Sequence, residues 1–170
     1  MSHASARVHL DTDLGGDPDD ACALAMLLGW PGVDIAGITT TIDPGGQRAA
    51  CVSHCLTLAG RQGIPVVAGE EASLITRRIA RPATADERYW PDDIAPTPSP
   101  SGAAPEMLGR SIQQGLTIIA IGPLTNLAQL EISRPGRPGH VRGGTRVAGR
   151  GDRADAPTTG HGQGRLEVLA

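Results

Sequence analysis

The chain has 170 residues, 39% of them hydrophobic and 19% charged, so it is long enough for one domain with its own core. Its net charge of −3 gives no electrostatic footprint for nucleic acid or an anionic membrane, and no apolar run approaches the length of a membrane span. Because the N-terminus also lacks a secretion-signal pattern, we expect a cytoplasmic protein that acts on a small molecule.

The first element is a short apolar strand at Val8–Leu10, followed by turn residues and an apolar helix at Ala21–Leu28 that ends at Gly29. Five carboxylates lie between the strand and the helix: Asp11, Asp13, Asp17, Asp19 and Asp20. Carboxylates this close repel one another unless a cation or backbone N–H groups neutralise them. The stretch therefore predicts a metal or substrate site, with a hard divalent cation as the natural ligand. It is not an EF-hand, because Cys22 stands where that loop needs its bidentate Glu.

Each carboxylate of the cluster has an expected place. We expect Asp11 and Asp13 to point to opposite faces of the sheet, with Asp13 aimed into the site and Asp11 receiving backbone N–H groups beneath it. Asp19 and Asp20 fall at the N-cap and first turn of the helix, where the helix dipole keeps carboxylates ionised and ready to bind metal. Asp19 alone is also typical of an ordinary helix cap.

Strands and helices alternate along the next part of the chain. The pattern predicts a strand at Val33–Ile42, a turn at Asp43–Gly46, a helix at Gln47–Ala59 and a strand at Ile64–Gly69. This alternation indicates an α/β fold with a mostly parallel, Rossmann-like open sheet and helices on both faces. Ligands of such sheets bind beyond the carboxyl ends of the strands. The helical patterns also contain the three cysteines, Cys22, Cys51 and Cys55, which we expect to be reduced and buried.

The remaining elements lie in the second half of the chain. Residues 79–105 form a predicted long surface loop, in which Tyr89 either packs locally or approaches the site. A helix at Pro105–Gln114 and a strand at Leu116–Ile121 follow. In the segment after that strand, Thr125 or Asn126 could cap a helix that starts at Leu127. We divide the chain into a partial α/β domain, residues 1–134, and an irregular tail rich in Gly, Arg and Pro, residues 135–170.

Two of these segments resemble known motifs. The sequence Asp11–Ala21, followed by Ala23-Leu24, resembles the N-terminal signature of the inosine-uridine nucleoside hydrolase family, in a longer-loop form that leaves Asp17 outside the shared pattern. The sequence Gly122–Ala128 resembles the family's second motif, Gly-Pro-Leu-Thr-Asn. The resemblance covers residues 7 to 134, the first half or less of a full member, so we expect a truncated or frame-shifted chain.

The resemblance implies a Ca²⁺-dependent enzyme that cleaves the N-glycosidic bond of purine or pyrimidine ribonucleosides. It implies that Asp13, Asp20 and the Thr125 carbonyl hold the Ca²⁺, that Asp13 also activates the attacking water, and that Asn126 fixes a turn. Asp19 would accept a hydrogen bond from a ribose hydroxyl. The resemblance further implies a nucleoside substrate and a role in nucleoside salvage, and it leaves a homo-oligomer open. The charge balance predicts no nucleic-acid or membrane partner.

Several departures from the family pattern leave alternatives open. A substrate-binding Asn that follows the second strand in many members is missing, and Asp43 either replaces it or belongs to an ordinary turn. The resemblance places a further Asp ligand and commonly a His acid in the C-terminal half, and no matching stretch follows Arg134. The alternative function is therefore a catalytically inactive fragment or metal-binding remnant, with weak Ca²⁺ binding and slow or no hydrolysis. Phosphoryl transfer from Asp11 is disfavoured because the chain has no Lys.

Overall fold

A computed structural model describes residues 6–16, 18–79, 90–91, 94–134 and 166–168. The predictions for Asp17, for Tyr89 and for most of the tail lie outside these residues. The strands are β1 Ala6–Thr12, β2 Val33–Thr40, β3 Val66–Val67, β4 Thr117–Ala120 and β5 Leu166–Val168, and the helices are α1 Pro18–Gly29, α2 Gln47–Leu58, α3 Ala103–Gln113 and α4 Thr125–Ser133. None of the helices in these ranges is both long and apolar enough to cross a membrane.

The strands form one sheet in the order β3-β2-β1-β4-β5, and every neighbouring pair is parallel. This arrangement confirms the predicted α/β fold. β1 lies at the centre, with β2 on one side and β4 on the other. The strands that follow β1 first, β2 and β3, are therefore added on one side of it, and the later strands, β4 and β5, are added on the other side. Such a reversal of strand order opens a crevice at the carboxyl ends of the two strands, where α/β proteins bind ligands.

Helices cover both faces of the sheet because successive residues of a strand point to opposite faces. Val8 and Leu10 of β1 pack in the larger core cluster, together with Leu24 of α1 and Val52 of α2. His9 points the other way and contacts α3. A smaller cluster on that side joins α3, β4 and α4 through Leu108, Ile118 and Leu130.

Some element boundaries differ from the predictions. Helix α1 begins at Pro18 rather than Ala21, because proline is well suited to the first turn of a helix. Cys22 is exposed on α1, so the expectation that all three cysteines are buried was wrong for this residue. Strand β3 has only the two residues of Val66–Val67. Within the predicted irregular tail, Leu166–Val168 forms an edge strand beside β4, where the apolar pattern resumes.

Candidate functional site

The loops that follow β1, β2 and β4 meet at one edge of the sheet. The Thr41 N–H donates to the Thr12 carbonyl oxygen over 2.9 Å, and the Ile121 N–H donates to the Asp11 carbonyl oxygen over 2.9 Å. The end of β1 is thus bonded to the first loop residue on each side. Any side chain carried by these three loops is held near the same point.

Asp11 is fully buried at this point. Its Oδ1 accepts hydrogen bonds from the Thr39 hydroxyl over 2.5 Å and from the Asn126 side-chain amide over 2.8 Å. Its Oδ2 is buried and has no hydrogen-bond partner among the described residues. Burial raises the pKa of Asp11 to about 6, the two hydrogen bonds oppose that rise, and the nearby charge of Asp13 adds to it. The carboxylates of Asp11 and Asp13 therefore lie within electrostatic range of each other.

This environment corrects two expectations for Asp11. Its partners are side chains rather than backbone N–H groups. The expectation that Asp11 and Asp13 point to opposite faces was also wrong in its premise, because residues two apart in a strand share a face. A fully buried carboxylate with one oxygen held by two donors is also a poor nucleophile, which weighs against the phosphoryl-transfer interpretation.

Asp20 lies on the α1 side of the site and is nearly buried. The Thr12 hydroxyl donates a short hydrogen bond to Asp20 Oδ1 and accepts one from the Leu14 N–H over 3.1 Å. Burial raises the pKa of Asp20, the Thr12 hydrogen bond lowers it, the charges of Asp13 and Asp19 raise it, and that of Arg48 lowers it. Asp20 therefore lies within electrostatic range of the carboxylates of Asp13 and Asp19 and of the guanidinium of Arg48.

The loop after β4 packs directly against Asp13. A Cβ atom placed on Gly122 would lie 2.7 Å from Asp13 Oδ1 and 2.8 Å from the Asp13 amide nitrogen, closer than real Cβ contacts allow. Only glycine permits the loop to approach this closely. Gly122 thus brings the segment of the second motif onto the carboxylate of the first. Asp13 itself is half-buried, and Asp19, in the first turn of α1, is exposed.

Asn126 joins two strand ends and one loop through its side chain. Its Nδ2 donates to Asp11 Oδ1 and, over 2.7 Å, to the Thr40 carbonyl oxygen, and its Oδ1 accepts from the Glu70 N–H over 2.9 Å. The side chain is fully buried, so these bonds form away from water. Asn126 fixes this corner of the sheet by linking the ends of β1 and β2 to the loop after β3.

The start of α4 differs from the predicted cap. The helix begins at Thr125 rather than Leu127, and Leu124 occupies the N-cap position without a side-chain hydrogen bond. The Thr125 N–H donates to the Pro123 carbonyl oxygen over 2.8 Å, which tightens the turn before the helix. Neither Thr125 nor Asn126 is the N-cap, so that alternative was wrong. The backbone of Thr125 directly adjoins the residue that binds Asp11.

Asp43, the candidate substrate contact after β2, is nearly fully buried. Its carboxylate accepts from the Thr40 hydroxyl over 2.7 Å and from the backbone N–H groups of Arg48 and Ala49 over 2.7 and 3.0 Å. Those two N–H groups belong to the first turn of α2, where intrahelical partners are lacking. These contacts favour the interpretation of Asp43 as part of a structural turn over that of a substrate contact.

The donor set around the end of β1 is suited to a hard cation. It consists of oxygen atoms, as Ca²⁺ prefers, and it includes the buried Asp11 Oδ2, which has no hydrogen-bond partner among the described residues. Burial is the main cause of the raised pKa values of Asp11 and Asp20, and the charge of Asp13 adds to both rises; a cation would relieve that repulsion. Among the described residues, no three His, Cys, Asp or Glu side chains are grouped to hold a metal. The residues present therefore fit Ca²⁺ in kind but provide fewer than the roughly six to eight oxygens it takes.

The sequence analysis missed four polar residues that support the cluster: His9, Thr12, Thr39 and Ser111. All four are buried and make side-chain hydrogen bonds. One signal in the sequence could have pointed to them. His9 interrupts the apolar run of β1 two residues before Asp11, and a titratable side chain on the inward face of a central strand needs buried partners.

Comparison with known proteins gives a family for this arrangement. The family model of the inosine-uridine preferring nucleoside hydrolases matches residues 8–156, so the match continues past Arg134. A probable uridine nucleosidase 2 from Arabidopsis thaliana is 33% identical over 134 residues, which are 72% of this chain and 40% of that protein. A pyrimidine-specific ribonucleoside hydrolase, RihA, from Salmonella schwarzengrund is 31% identical over 134 residues, which are 74% of this chain and 42% of that protein.

Solved structures agree with this result. A plant nucleoside hydrolase, the PpNRh1 enzyme, superposes with a TM-score of 0.61 at 31% identity, over 76% of this chain and 43% of that one. An inosine-guanosine nucleoside hydrolase has the same TM-score of 0.61 at 24% identity, over 77% of this chain and 42% of that one, which supports the fold. The chain spans about two fifths of the length of the relatives it matches.

Proposed function

Because the chain belongs to the inosine-uridine preferring nucleoside hydrolase family, we propose that the acidic cluster at the end of β1 forms the metal-binding and ribose-binding part of a nucleoside N-ribohydrolase site. One observation carries the proposal. Gly122 and Asn126, from the second motif, contact Asp13 and Asp11 of the first motif, although more than a hundred residues separate them. Two motifs that serve one site should meet in this way.

We assign Asp13, Asp20 and the carbonyl oxygen of Thr125 as the groups that would hold Ca²⁺. The proximity of Asp13 and Asp20 supports this, because the charge of Asp13 adds to the rise that burial causes in the pKa of Asp20, and a cation shared by the two carboxylates would relieve that repulsion. Thr125 stands in the chain between Gly122, which packs against Asp13, and Asn126, which binds Asp11, and this supports a place for its carbonyl oxygen near the cluster. When bound, Ca²⁺ would orient the 2′- and 3′-hydroxyls of the ribose and lower the pKa of a water molecule.

The side chains of the chain then have separate tasks. Asp13 is the catalytic residue, and its carboxylate accepts a proton from the attacking water. Asp19 is exposed in the first turn of α1 and accepts a hydrogen bond from a ribose hydroxyl. Cleavage of the N-glycosidic bond develops positive charge on the sugar ring, and the cluster of carboxylates stabilises that charge. Asp43 stays outside this group, because its oxygens are engaged by the start of α2.

The substrate class is a ribonucleoside that releases ribose and free base. The relatives from A. thaliana and S. schwarzengrund are named for uridine and for pyrimidine ribonucleosides, so uridine is the first substrate to test beside inosine. Ca²⁺ as the metal, a cytoplasmic location, a role in salvage and a homo-oligomer stay predictions.

The test is release of reducing sugar from uridine and inosine by the purified chain with added CaCl₂. The wild-type chain is compared with Asp13→Asn and with a control, Asp34→Asn, which changes an exposed carboxylate that pairs with Arg7 on the sheet surface. We expect turnover that Asp13→Asn lowers by at least about 100-fold and Asp34→Asn leaves unchanged, because loss of a positioned acid or base has an effect of this size. Turnover that survives Asp13→Asn would contradict the assignment.

A second function, Ca²⁺ binding without hydrolysis, is favoured by the small number of ligands among the described residues. Two carboxylates and one carbonyl oxygen leave most of the Ca²⁺ shell to water, which weakens affinity. Calorimetric titration with CaCl₂ separates the two functions. Binding that Asp13→Asn abolishes, with no sugar released by the wild-type chain, would support binding alone.

A further inference from the structure

A line of buried polar side chains runs along the α3 face of the sheet to the acidic cluster. It begins at Ser111 in α3, whose hydroxyl oxygen lies 2.9 Å from Nδ1 of His9 on β1. The other ring nitrogen of His9, Nε2, lies 3.0 Å from the hydroxyl oxygen of Thr39 on β2. Thr39 in turn donates to Asp11 Oδ1 over 2.5 Å. All four side chains are buried, so water does not compete for these bonds.

The chemistry of these groups fixes the direction of each bond. The Thr39 hydroxyl has a single proton, and this proton is donated to Asp11 Oδ1. The Thr39 oxygen must then accept from His9, which places the His9 proton on Nε2. In a neutral imidazole the other nitrogen is an acceptor, so the Ser111 hydroxyl donates to Nδ1. Burial, which lowers the pKa of His9 to about 4, keeps the ring neutral.

The line ends on a carboxylate with two different oxygens. Oδ1 of Asp11 is held from two sides, by Thr39 and by Asn126, and this leaves a single orientation for the group. Oδ2 has no hydrogen-bond partner among the residues described. Asp11 also lies close enough to Asp13 for their charges to interact. A shift of the Asp11 carboxylate would therefore be felt directly at Asp13.

We propose that His9 is a positioning residue of the metal site. Through the Thr39 hydroxyl it holds the Asp11 carboxylate in one orientation beside Asp13, so that the ligands meet the cation in a preformed arrangement. Loss of a residue that orients the metal ligands commonly weakens metal binding by about 10- to 100-fold. The inference rests on the proposed function, because it takes Asp13 and Asp20 as Ca²⁺ ligands.

The first experiment determines the proton position on His9 without any metal. Long-range ¹H–¹⁵N correlation spectra of ¹⁵N-histidine-labelled protein distinguish the two neutral tautomers, and the His9→Gln spectrum identifies the His9 signals by their loss. We expect the Nε2–H tautomer at pH 7, and a redistribution toward the other tautomer in Ser111→Ala, where Nδ1 loses its donor. A charged ring or an Nδ1–H tautomer in the wild-type chain would overturn the proposal.

The second experiment measures CaCl₂ binding by calorimetry in Thr39→Val and Thr39→Ser. The valine variant keeps the shape of the side chain and removes the hydroxyl, whereas the serine variant keeps the hydroxyl and serves as the matched control. We expect Thr39→Val to weaken Ca²⁺ binding about tenfold and Thr39→Ser to restore it to within about threefold of wild type. Ser111→Ala, at the far end of the line, should weaken binding by a smaller factor and provides the same test should Thr39→Val not fold.

The outcomes separate the two proposals. If Thr39→Val folds and binds Ca²⁺ with wild-type affinity, His9 has no positioning role. Ser111→Ala gives the same answer where Thr39→Val does not fold. The proposed function would stand in either case. Absence of Ca²⁺ binding in the wild-type chain removes the proposed function, and with it this role for His9. Near-wild-type Ca²⁺ affinity in Thr39→Ser would show that the Thr39 hydroxyl acts through its hydrogen bonds. If Thr39 acted only by packing, its methyl group would be needed instead, and Thr39→Ser would be defective.

Discussion

Aspartates near the ends of β1 and β2 lie at the same edge of the sheet, but the protein supplies them with different numbers of hydrogen-bond donors. In the loop after β2, Asp43 accepts three hydrogen bonds, two of them from free N–H groups at the start of α2. Around the end of β1, Oδ2 of Asp11 has no hydrogen-bond partner among the described residues, and the pKa of Asp20 is raised by burial and by its acidic neighbours. The carboxylate in the loop after β2 therefore stabilises the fold, whereas the carboxylates around the end of β1 are poorly neutralised by the protein itself.

The comparison teaches that position at a sheet edge does not decide the role of an aspartate. What decides it is the supply of donors. The start of α2 supplies two backbone N–H groups to Asp43, whereas Asp11 and Asp20 accept from hydroxyl and side-chain amide donors. A group of carboxylates short of donors is the arrangement that gains most from a cation.

The largest expected effect is on the pH dependence of stability. The folded pKa of Asp11, about 6, lies above its ordinary 3.8, so its stabilising contribution is complete below about 3.8 and is lost as the pH rises through 6. The folded pKa of His9, about 4, lies below its ordinary 6.5, so its contribution is present above 6.5 and is lost as the pH falls through 4. In the wild-type chain the two opposing trends offset each other.

Substitution should remove one trend at a time. In Asp11→Asn, without Ca²⁺, we expect the free energy of unfolding to rise by at most about 3 kcal/mol between pH 4 and 6.5, because the His9 trend remains and is opposed by the raised pKa of Asp20. In His9→Gln it should fall with pH over about the same range. Urea unfolding at several pH values with EGTA present measures both. Parallel pH profiles for the two variants would contradict the opposing assignments.

The next effect concerns the well-satisfied loop. Asp43→Ala removes the acceptor of three hydrogen bonds and leaves two buried N–H groups of α2 unpaired, so we expect a loss of about 2–3 kcal/mol in the free energy of unfolding. Asp43→Asn, which keeps one acceptor oxygen, should lose less. If Asp43 instead binds substrate, Asp43→Ala would leave stability unchanged and raise KM.

A smaller effect is expected where the acidic loop does have a donor. Thr12→Val removes the hydroxyl that donates to Asp20 and accepts from Leu14, and should lower the free energy of unfolding by about 1–2 kcal/mol. Ca²⁺ binding should weaken by about threefold to tenfold, because Asp20 loses the bond that orients it. Thr12→Ser is the matched control, and equal defects in both variants would assign the effect to packing of the methyl group.

The smallest effect on stability is expected at Asp19. This carboxylate is exposed, so Asp19→Asn should change the free energy of unfolding by less than about 0.5 kcal/mol. Its effect should appear instead as a higher KM for nucleoside, since the residue is proposed to bind a ribose hydroxyl. Unchanged KM together with unchanged stability would leave Asp19 as an ordinary residue of the first helical turn.

Much of the fold followed from the sequence because the signals are local. Alternating apolar strands and helices indicated the parallel sheet, and the acidic run after Val8–Leu10 is the basis for the proposed site. The convergence of the loops after β1 and β4 could be expected from the topology and from the two motifs. The family match then agrees with the resemblance that those motifs carry.

The partners of individual side chains could not be predicted in the same way. Asn126 binds Asp11 and His9 binds Ser111 across separations of 115 and 102 residues, and no local pattern encodes such pairings. The role of Asp43 depended on which N–H groups of α2 came within reach, a matter of loop geometry. Periodicity fixes the face that a residue lies on, but not the donor that it finds there.

The central position of β1 also determines when the site can form during synthesis. β1 pairs on one side with β2, which follows within the first 40 residues, and on the other side with β4, which begins only at Thr117. A nascent chain that has not yet released β4 and α4 from the ribosome therefore holds Asp11 without its Asn126 partner and with one flank of β1 unpaired. The acidic loop is among the earliest segments made, and it becomes a site only when residues synthesised much later arrive.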